Sequence, residues 1–403
     1  MNTFLQRNQQ YTQVIDLLSK RFATYGYARM KTAAFEKYDL YSHVTSSVKR
    51  QEMVKVIDTN GEVLVLRPDV TIPLTQELSH DRNELTREYR FFYIQEVFRQ
   101  QVGQSMKTER TQAGVEYFSQ CSPEADAEVI ALAIQTMQDL GWQNITIELG
   151  HAAILNGLIE VLGFDEHNQN TLKSLIQAKN IVELRPFLAS LSVDKTMIHA
   201  VEQIPTFYGK PHDVLQRAKQ ILTAPDMQQT IAYIEEVYRI LVLYGLEDYL
   251  VIDFGLINDM DYYSGVLFQG YVERVGKPVL MGGRYDDLGK AFGAELPAIG
   301  FACDIESIVN ALYANHAPQS LVDVTIFYEH DELAQAIELA TALRNRQFKV
   351  VSVPYTKERL QAENSTFTIH IREGKKTIHK NGSVEQFTSI EDFVQKGVFL
   401  WNS

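Results

Sequence analysis

The sequence predicts an α+β protein in which strand-rich and helix-rich regions follow one another along the chain. Apolar residues alternate with polar ones on both sides of Asn60-Gly61, which predicts a β-hairpin, and an aromatic run at residues 91–99 predicts another strand. Apolar stripes at helical spacing predict helices through most of residues 152–246. From residue 323 onward, a strand, an amphipathic helix and a second strand predict a small α/β unit.

Composition restricts the class of protein. Apolar residues make up 45% of the 403 residues and charged residues 22%, which is typical of a soluble globular protein. Neither a signal peptide nor a run of about 18 apolar residues occurs, so we expect no membrane segment. Cys121 and Cys303 lie far apart and form no CxxC pair, so we expect reduced thiols in a cytoplasmic protein.

The net charge and the motif content argue against several function classes. A formal charge of −13 argues against a general nucleic-acid binder, which usually presents a basic face. The sequence has no P-loop, no GxGxxG fingerprint and no HExxH motif, and its ten histidines lack metal-ligand spacing. We therefore expect neither a metal site nor a cofactor.

Residues 256–307 carry the pattern from which a function can be inferred. Three tyrosines, two acidic groups and two tight glycine turns, one of them at Gly282-Gly283, are predicted to converge there from strands. A tyrosine combines a large apolar face with one hydroxyl, which suits a small, partly polar, planar ligand. An isolated Tyr-Tyr-x-Gly pattern is more often an aromatic hairpin in an ordinary core. The three blocks of this region, at residues 256–265, 282–286 and 298–307, together and in this order favour a ligand site instead.

Several motifs together resemble histidyl-tRNA synthetase, a class II aminoacyl-tRNA synthetase. The motifs lie at residues 32–36, 67–71, 91–99, 108–116, 256–265, 282–286 and 298–307. The resemblance implies a class II catalytic-like antiparallel sheet flanked by helices. We expect this synthetase-like domain at residues 1–315, with a helical insertion at about residues 152–246. A small α/β domain, expected at residues 321–403, resembles a truncated anticodon-binding domain.

The nucleotide side of the synthetase pattern is missing from this sequence. Asn258 stands where the family has its catalytic arginine, and Ser307 stands where it has an ATP-binding arginine. The loop at residues 101–107 lacks most of the family's nucleotide ligands, and Arg110 replaces the phenylalanine that stacks on adenine. The closer resemblance is therefore to the synthetase-like regulatory subunits of ATP phosphoribosyltransferase, catalytically silent relatives that act in histidine biosynthesis.

The amino-acid side of the pattern is retained. The residues that the resemblance assigns to histidine binding are Asp69, Thr71, Arg99, Gln112, Glu116, Tyr262, Tyr263 and Tyr285. Within this set, Glu116 and Tyr263 are assigned to the imidazole nitrogens. The residues that would bind the nucleotide are missing, whereas those that would bind the amino acid are retained. We therefore expect a site that binds histidine without activating it, and we expect no catalytic residues.

The other end of the histidine ligand is assigned in the same way. The resemblance gives its ammonium group to Asp69 and Thr71 together with Gln112, and its carboxylate to Arg99, whose planar guanidinium suits that task. Gln112 and Glu116 lie four residues apart on one predicted strand, so both side chains are expected to point to the same face.

We predict a non-catalytic regulatory subunit that binds a short-form ATP phosphoribosyltransferase catalytic subunit. It would serve the first step of histidine biosynthesis and mediate feedback inhibition, with histidine as the effector. The alternatives are an active histidyl-tRNA synthetase and another amino-acid-binding relative, such as a ligase that modifies a protein side chain. Both alternatives need the ATP residues that are missing. Residues 32–36 occupy the place of the synthetases' dimer motif, so we expect a dimer within a hetero-oligomer.

The C-terminal residues argue against tRNA binding. Residues 321–403 contain ten basic and eleven acidic residues, whereas a surface that binds through phosphates is basic. Only a dozen residues separate Pro354 from Phe367, which is too few for the helix that the family places there.

The remaining local predictions concern helix faces, caps and turns. Asp304 is expected to cap a helix. The apolar stripe of the C-terminal helix is predicted at Leu333, Ile337 and Ala340. A hairpin is predicted over residues 367–387 with its turn near Asn381-Gly382.

Overall fold

The computed structural model describes most of the chain. The described residues are 3–41, 44, 49–80, 88–100, 108–118, 121–191, 195–257, 262–313, 322–361, 365–380 and 383–393. They fall into two compact units, one drawn from Tyr11–Ala314 and the other from Met1–Gln10 together with Asn315–Ser403. No helix of the described part has the length and apolar character that crossing a bilayer requires.

Strands occur in both units. They are β1 Ala28–Arg29, β2 Phe35–Lys37, β3 Lys55–Ile57, β4 Val63–Leu66, β5 Tyr89–Phe98, β6 Glu109–Phe118, β7 Ile145–His151, β8 Tyr208–Gly209, β9 Leu250–Asp253, β10 Val266–Val272, β11 Leu280–Arg284, β12 Ala298–Asp304, β13 Val324–Tyr328, β14 Val350–Pro354, β15 Phe367–Arg372, β16 Lys375–Lys380 and β17 Ser383–Phe387.

Helices precede, interrupt and cover these strands. They are α1 Thr3–Thr24, α2 Thr71–His80, α3 Pro123–Asp139, α4 Ala152–Leu162, α5 Glu166–Gln177, α6 Ile181–Ala189, α7 Lys195–Gln203, α8 Pro211–Ile221, α9 Pro225–Leu243, α10 Ile305–Tyr313, α11 Leu333–Asn345 and α12 Lys357–Gln361.

The large unit is built on one nine-stranded sheet in the order β1-β5-β6-β12-β11-β10-β7-β9-β8. Its six central strands, from β5 to β7 in that order, pair antiparallel throughout, which confirms the predicted antiparallel sheet. The edges make the sheet mixed, because β1 pairs parallel with β5 and β9 pairs parallel with β7. The two-residue strand β8 interrupts the region predicted as helical and pairs with β9.

Helix α3 covers one face of this sheet because its sequence is apolar on nearly all sides. Ser122 caps it by accepting from the Ala125 amide at 3.2 Å, and Pro123 occupies its first turn, where a missing N–H is tolerated. The helical insertion continues this core through α9, whose apolar residues Ile231 and Ile234 are buried. The opposite face of the sheet carries polar and aromatic residues near β6 and β12.

The glycine pair that was predicted to form a tight turn does not do so. Gly282 and Gly283 lie in the middle of β11, and neither has a positive φ. A Cβ on Gly282 would lie 2.4 Å from the Phe268 ring, and a Cβ on Gly283 would lie 2.8 Å from the Tyr263 ring. Glycine is needed there because aromatic rings pack directly on the backbone.

The hairpin prediction near Asn60 is confirmed. Strands β3 and β4 pair antiparallel, and β4 also pairs with β2 to give a separate three-stranded sheet. The turn is held by the Asp58 carboxylate, which accepts from the Asn60 and Glu62 amides at 2.8 Å each. Gly61 completes the turn with a φ of +84°, a conformation that side chains disfavour.

The C-terminal unit contains a five-stranded sheet in the order β14-β13-β15-β16-β17, with α11 packed on one face. The extent of the predicted hairpin is wrong, because the region forms three strands with a first turn at Glu373-Gly374. The predicted turn near Asn381-Gly382 agrees with the antiparallel pairing of β16 with β17, in which Lys380 pairs with Ser383. The second turn, at residues 381–382, lies outside the described residues. The gap that was judged too short for a helix holds the five-residue helix α12.

The predicted apolar stripe of α11 is also wrong in part. Leu333 and Ile337 are 41% and 54% exposed, and of the three predicted residues only Ala340 is buried. The buried face consists of Ala336, Leu339, Ala340 and Leu343. The predicted cap of α10 is confirmed, because the Asp304 carboxylate accepts from the Ser307 amide at 2.6 Å.

Candidate functional site

A cavity of about 280 Å³ opens on the polar face of the central sheet. Its floor is formed by four adjacent strands, β5, β6, β12 and β11, and its wall by the segments around them. All eight residues predicted to bind histidine line this cavity. They come from positions as distant in the sequence as Asp69 and Tyr285. Of the eight, only Gln112 and Glu116 lie within a strand of the central sheet, so the segments that flank its strands complete the set.

The first two of these residues, Asp69 and Thr71, come from the segment between β4 and α2 and from the start of α2. Asp69 Oδ1 accepts from the Ile72 amide at 2.9 Å, so its carboxylate caps the first turn of α2. Thr71 is the first residue of that helix, and both side chains are buried. A carboxylate held by a helix N-terminus is fixed in orientation, which is what a ligand site requires.

Glu116 lines the cavity and is 2% exposed. Thr71 Oγ1 donates to Glu116 Oε1 at 2.5 Å, and the Tyr285 hydroxyl donates to Oε2. Burial raises the pKa of Glu116 to about 8, and the nearby Asp69 adds to the rise while the two hydrogen bonds oppose it. A Cβ on Gly300 would lie 2.0 Å from Oε2, so the opposing strand must carry glycine there.

Two buried polar atoms of the cavity have no hydrogen-bond partner within the described chain. One is the donor Arg99 Nη2 and the other is the acceptor Gln112 Oε1. Arg99 Nε donates to the Pro68 carbonyl at 2.7 Å, which fixes the guanidinium, and Nη2 lies 3.7 Å from Asp69 Oδ2, beyond hydrogen-bond range. An unsatisfied cationic donor and an unsatisfied amide acceptor in one cavity are complementary to a carboxylate and an ammonium group.

Three tyrosines form the aromatic wall. The ring centroids of Tyr262 and Tyr263 are 4.9 Å apart, and those of Tyr262 and Tyr285 are 5.6 Å apart in an edge-to-face arrangement. Burial raises the pKa of all three hydroxyls, so they remain protonated hydrogen-bond donors at neutral pH. The wall therefore offers apolar faces and hydroxyl groups to a planar ligand.

The chain is similar in sequence and in fold to known proteins. A family model described as histidyl-tRNA synthetase matches residues 4–308. A protein of Oceanobacillus iheyensis named ATP phosphoribosyltransferase regulatory subunit is 43% identical over 343 residues, which is 85% of this chain and 84% of that protein. The chain belongs to the family of ATP phosphoribosyltransferase regulatory subunits. A Ruminiclostridium cellulolyticum protein of the same name is 34% identical over 83% of this chain and 81% of its own length.

Solved structures place this regulatory-subunit family member in the same fold. A Bacillus halodurans protein described as an ATP phosphoribosyltransferase regulatory subunit/histidyl-tRNA synthetase matches with a TM-score of 0.78 at 28% identity, over 90% of this chain and 94% of that one. The histidyl-tRNA synthetase of Nostoc sp. PCC 7120 matches with a TM-score of 0.84 over 97% of this chain and 96% of its own. At 16% identity, the second likeness concerns the fold alone.

In this family member, the nucleotide-side positions can be located only in part. Asn258 and the loop at residues 101–107 lie outside the described residues. Ser307 is described, and its hydroxyl accepts from Lys277 Nζ at 3.1 Å. Arg110 lines the cavity, and its Nη1 lies 3.9 Å from Asp304 Oδ2.

Sequence reasoning missed Tyr93 of β5, which is 1% exposed and lines the cavity. A Cβ on Gly114 of the neighbouring strand would lie 2.6 Å from its hydroxyl, so the ring packs on bare backbone. A signal was present, because Tyr93 precedes the predicted ligand residue Arg99 by six positions and strand side chains alternate with a period of two. Its position in an aromatic run made an ordinary core residue the default interpretation.

Proposed function

We propose that this chain is a non-catalytic regulatory subunit of an ATP phosphoribosyltransferase complex and that its cavity binds free histidine as the feedback signal. The observation that carries the proposal is the pair of unsatisfied atoms, Arg99 Nη2 and Gln112 Oε1, in one amino-acid-sized cavity. The names of the relatives support the assignment to that complex.

The proposed pose places the histidine carboxylate on Arg99 and the ammonium group among Asp69, Thr71 and Gln112. The Thr71 hydroxyl already donates to Glu116, but its oxygen lone pairs remain able to accept from an ammonium group. The imidazole ring then reaches Glu116 and the aromatic wall. Each charge-assisted contact is worth roughly 1.5–3 kcal/mol, so losing one weakens binding by about one to two decades.

The proposal excludes histidine activation by this chain alone. Adenylation develops negative charge on the phosphoryl oxygens, and removing one preorganised donor typically slows such a step by about 10²–10³-fold. Ser307 supplies no charge at the position that the synthetase resemblance gives to an ATP-binding arginine. The competing function, histidyl-tRNA synthetase, predicts histidine-dependent exchange of pyrophosphate into ATP.

Several further assignments belong to the same proposal. The chain acts in the cytoplasm, self-associates within the hetero-oligomer, and is divided into a synthetase-like domain at residues 1–315 and a C-terminal domain at residues 321–403. The near-balanced charge of that C-terminal domain supports the view that it does not hold tRNA.

Feedback inhibition by histidine requires that histidine binding is linked to the state of the partner's active site. Histidine can inhibit the complex only if it binds more tightly to the arrangement in which the partner's active site is shut. The cavity suits this task because its lining comes from segments as separate as β4–α2, β6 and β12, and one ligand would tie them together.

The test is reconstitution of the full chain with the short-form ATP phosphoribosyltransferase of the same host. We expect the two chains to co-elute, the phosphoribosyl transfer rate to rise on complex formation, and histidine to inhibit the complex. The chain alone should show no pyrophosphate exchange above a blank. Synthetase-like exchange, or a catalytic subunit whose rate and elution ignore this chain, would overturn the proposal.

A further inference from the structure

Glu116 is a buried carboxyl group in a ligand cavity, and within the described chain no lysine, arginine or histidine forms an ion pair with it. The groups that face it are Thr71 of α2, Tyr285 after β11, Tyr93 of β5, Tyr262 and Tyr263 before β10, and the carboxylate Asp69. Arg99 is engaged elsewhere, on Pro68 and beside Asp69. The environment of Glu116 is therefore hydroxyl-rich and acidic.

A buried carboxylate without a counter-ion is strongly unfavourable, so it either takes a proton or finds a cation. The two hydroxyl contacts occupy one acceptor position on each oxygen, Thr71 on Oε1 and Tyr285 on Oε2. A carboxylate offers about four such positions, so acceptor capacity remains toward the cavity. A ligand that brings a ring N–H and a positive charge would satisfy both needs at once.

We propose that the cavity recognises the side chain of histidine as an imidazolium cation, with Glu116 as its buried counter-ion. The inference rests on the proposed function and adds the charge state of the ligand to it. It makes Glu116 the residue that selects a basic ring over a merely aromatic one of the same shape.

Proton balance follows from the two groups. The pKa of Glu116 is raised to about 8 by burial, so at neutral pH the carboxyl of the ligand-free cavity carries a proton. A reference imidazole has a pKa of about 6.5 and is mostly neutral at pH 7. On binding, the proton of Glu116 moves to the ring nitrogen although the free carboxyl has the higher pKa, because the attraction between the two adjacent buried charges favours both charged forms. No proton is then exchanged with solvent.

Outside the pH range between these two pKa values, histidine binding is coupled to proton exchange with solvent, in opposite directions at high and at low pH. Above pH 8 Glu116 has lost its proton, so binding must take one up, and affinity falls by about tenfold per pH unit. Below about pH 6.5 free histidine already carries a ring proton, so binding releases one from Glu116 and affinity falls again. Histidine affinity should therefore be greatest between these two values.

The test is calorimetric titration of histidine into the full-chain complex at pH 7.2 and pH 8.8, in buffers of different ionisation enthalpy. The parent should take up close to one proton more at pH 8.8 than at pH 7.2. Glu116→Gln is the matched control, because it keeps the shape and leaves the titration of the ligand's α-amino group unchanged. The Glu116→Gln variant should therefore not show the additional proton uptake at pH 8.8 that Glu116 causes in the parent.

A second probe needs no variant. The analogue 1,2,4-triazole-3-alanine has a ring of the same size that stays neutral at these pH values, so the parent should bind it at least about tenfold more weakly than histidine. Equal affinity for both ligands, with no extra proton uptake at pH 8.8, would overturn the imidazolium inference while the histidine pocket stands. Absence of histidine binding at every pH would overturn both.

Discussion

Gly300 shows how closely the site is built at the scale of single residues. The position has an ordinary strand backbone, so alanine would suit it conformationally. A Cβ there would lie 2.0 Å from Glu116 Oε2 and 2.3 Å from the Val115 carbonyl oxygen, and a backbone atom cannot move aside cheaply. Glycine at 300 is thus what allows Glu116 to lie under the cavity.

We predict that Gly300→Ala displaces Glu116 and weakens histidine binding by at least about tenfold, because the charge-assisted contact is lost. Overpacking should also lower the free energy of unfolding by about 1–3 kcal/mol. Calorimetric titration and urea unfolding measure the two effects. Gly276→Ala is the control, since no atom lies within 4 Å of its added Cβ. Equal histidine affinity in both variants would show that Glu116 is not a ligand residue.

The types of site residue could be read from the sequence, but their mutual contacts could not. Retained residues such as Asp69 and Gln112 are found because motif resemblance fixes their positions, and all eight line one cavity. The hydrogen bond from Thr71 to Glu116 spans 45 residues, and no local pattern encodes it. The unsatisfied atom Arg99 Nη2 becomes visible only once every neighbour is placed.

At the scale of elements, a buried ion pair joins α3 to β11 beside the site. Arg284 Nε donates to Asp126 Oδ1 at 2.7 Å, and both side chains are at most 1% exposed. Tyr233 of α9 donates to Asp126 Oδ2 at 2.8 Å, so the same carboxylate also holds the helical insertion. Because Arg284 immediately precedes Tyr285, this network fixes the strand end that delivers Tyr285 to Glu116.

Breaking this pair should be strongly destabilising. Asp126→Asn leaves the buried guanidinium of Arg284 with only the partly exposed Asp286 carboxylate, 3.0 Å from Nη1, as its counter-charge, and we predict a loss of about 3 kcal/mol in the free energy of unfolding. The matched control is Glu236→Gln, which removes one partner of the exposed pair with Arg239 on α9. Its stability should stay close to that of the parent. Urea unfolding compares the two, and equal stability of both variants would refute this reading of the network.

Element predictions succeeded where local signals were strong and failed where tertiary contact decides. The hairpin at Asn60 and the start of α10, which Asp304 caps, carry turn and cap residues that specify them locally. Strand β8 has two residues and no periodicity to detect. In α11, Leu333 and Ile337 have helical spacing, as do Ala336 and Leu339, and only the position of the sheet selects the second pair as the buried one.

At the scale of the whole molecule, a synthetase-like fold holds the cavity that we propose binds histidine, and Ser307 stands where the synthetase resemblance has an ATP-binding arginine. The chain keeps buried, fully oriented polar groups around the cavity, although burying Glu116 is unfavourable in itself. Such groups are expected where a ligand compensates them. The proposed function therefore requires that histidine bound in this cavity is the signal by which the complex is inhibited.

The most direct measurement is a histidine titration of the reconstituted complex by calorimetry, run beside its inhibition curve, for the parent, Glu116→Ala and Tyr263→Phe. We expect both variants to lose affinity by about one to two decades, with the midpoint of inhibition moving by the same factor. Complexes that assemble normally and are still inhibited at the parent's histidine concentration would contradict the account, and the feedback site would then lie outside this cavity.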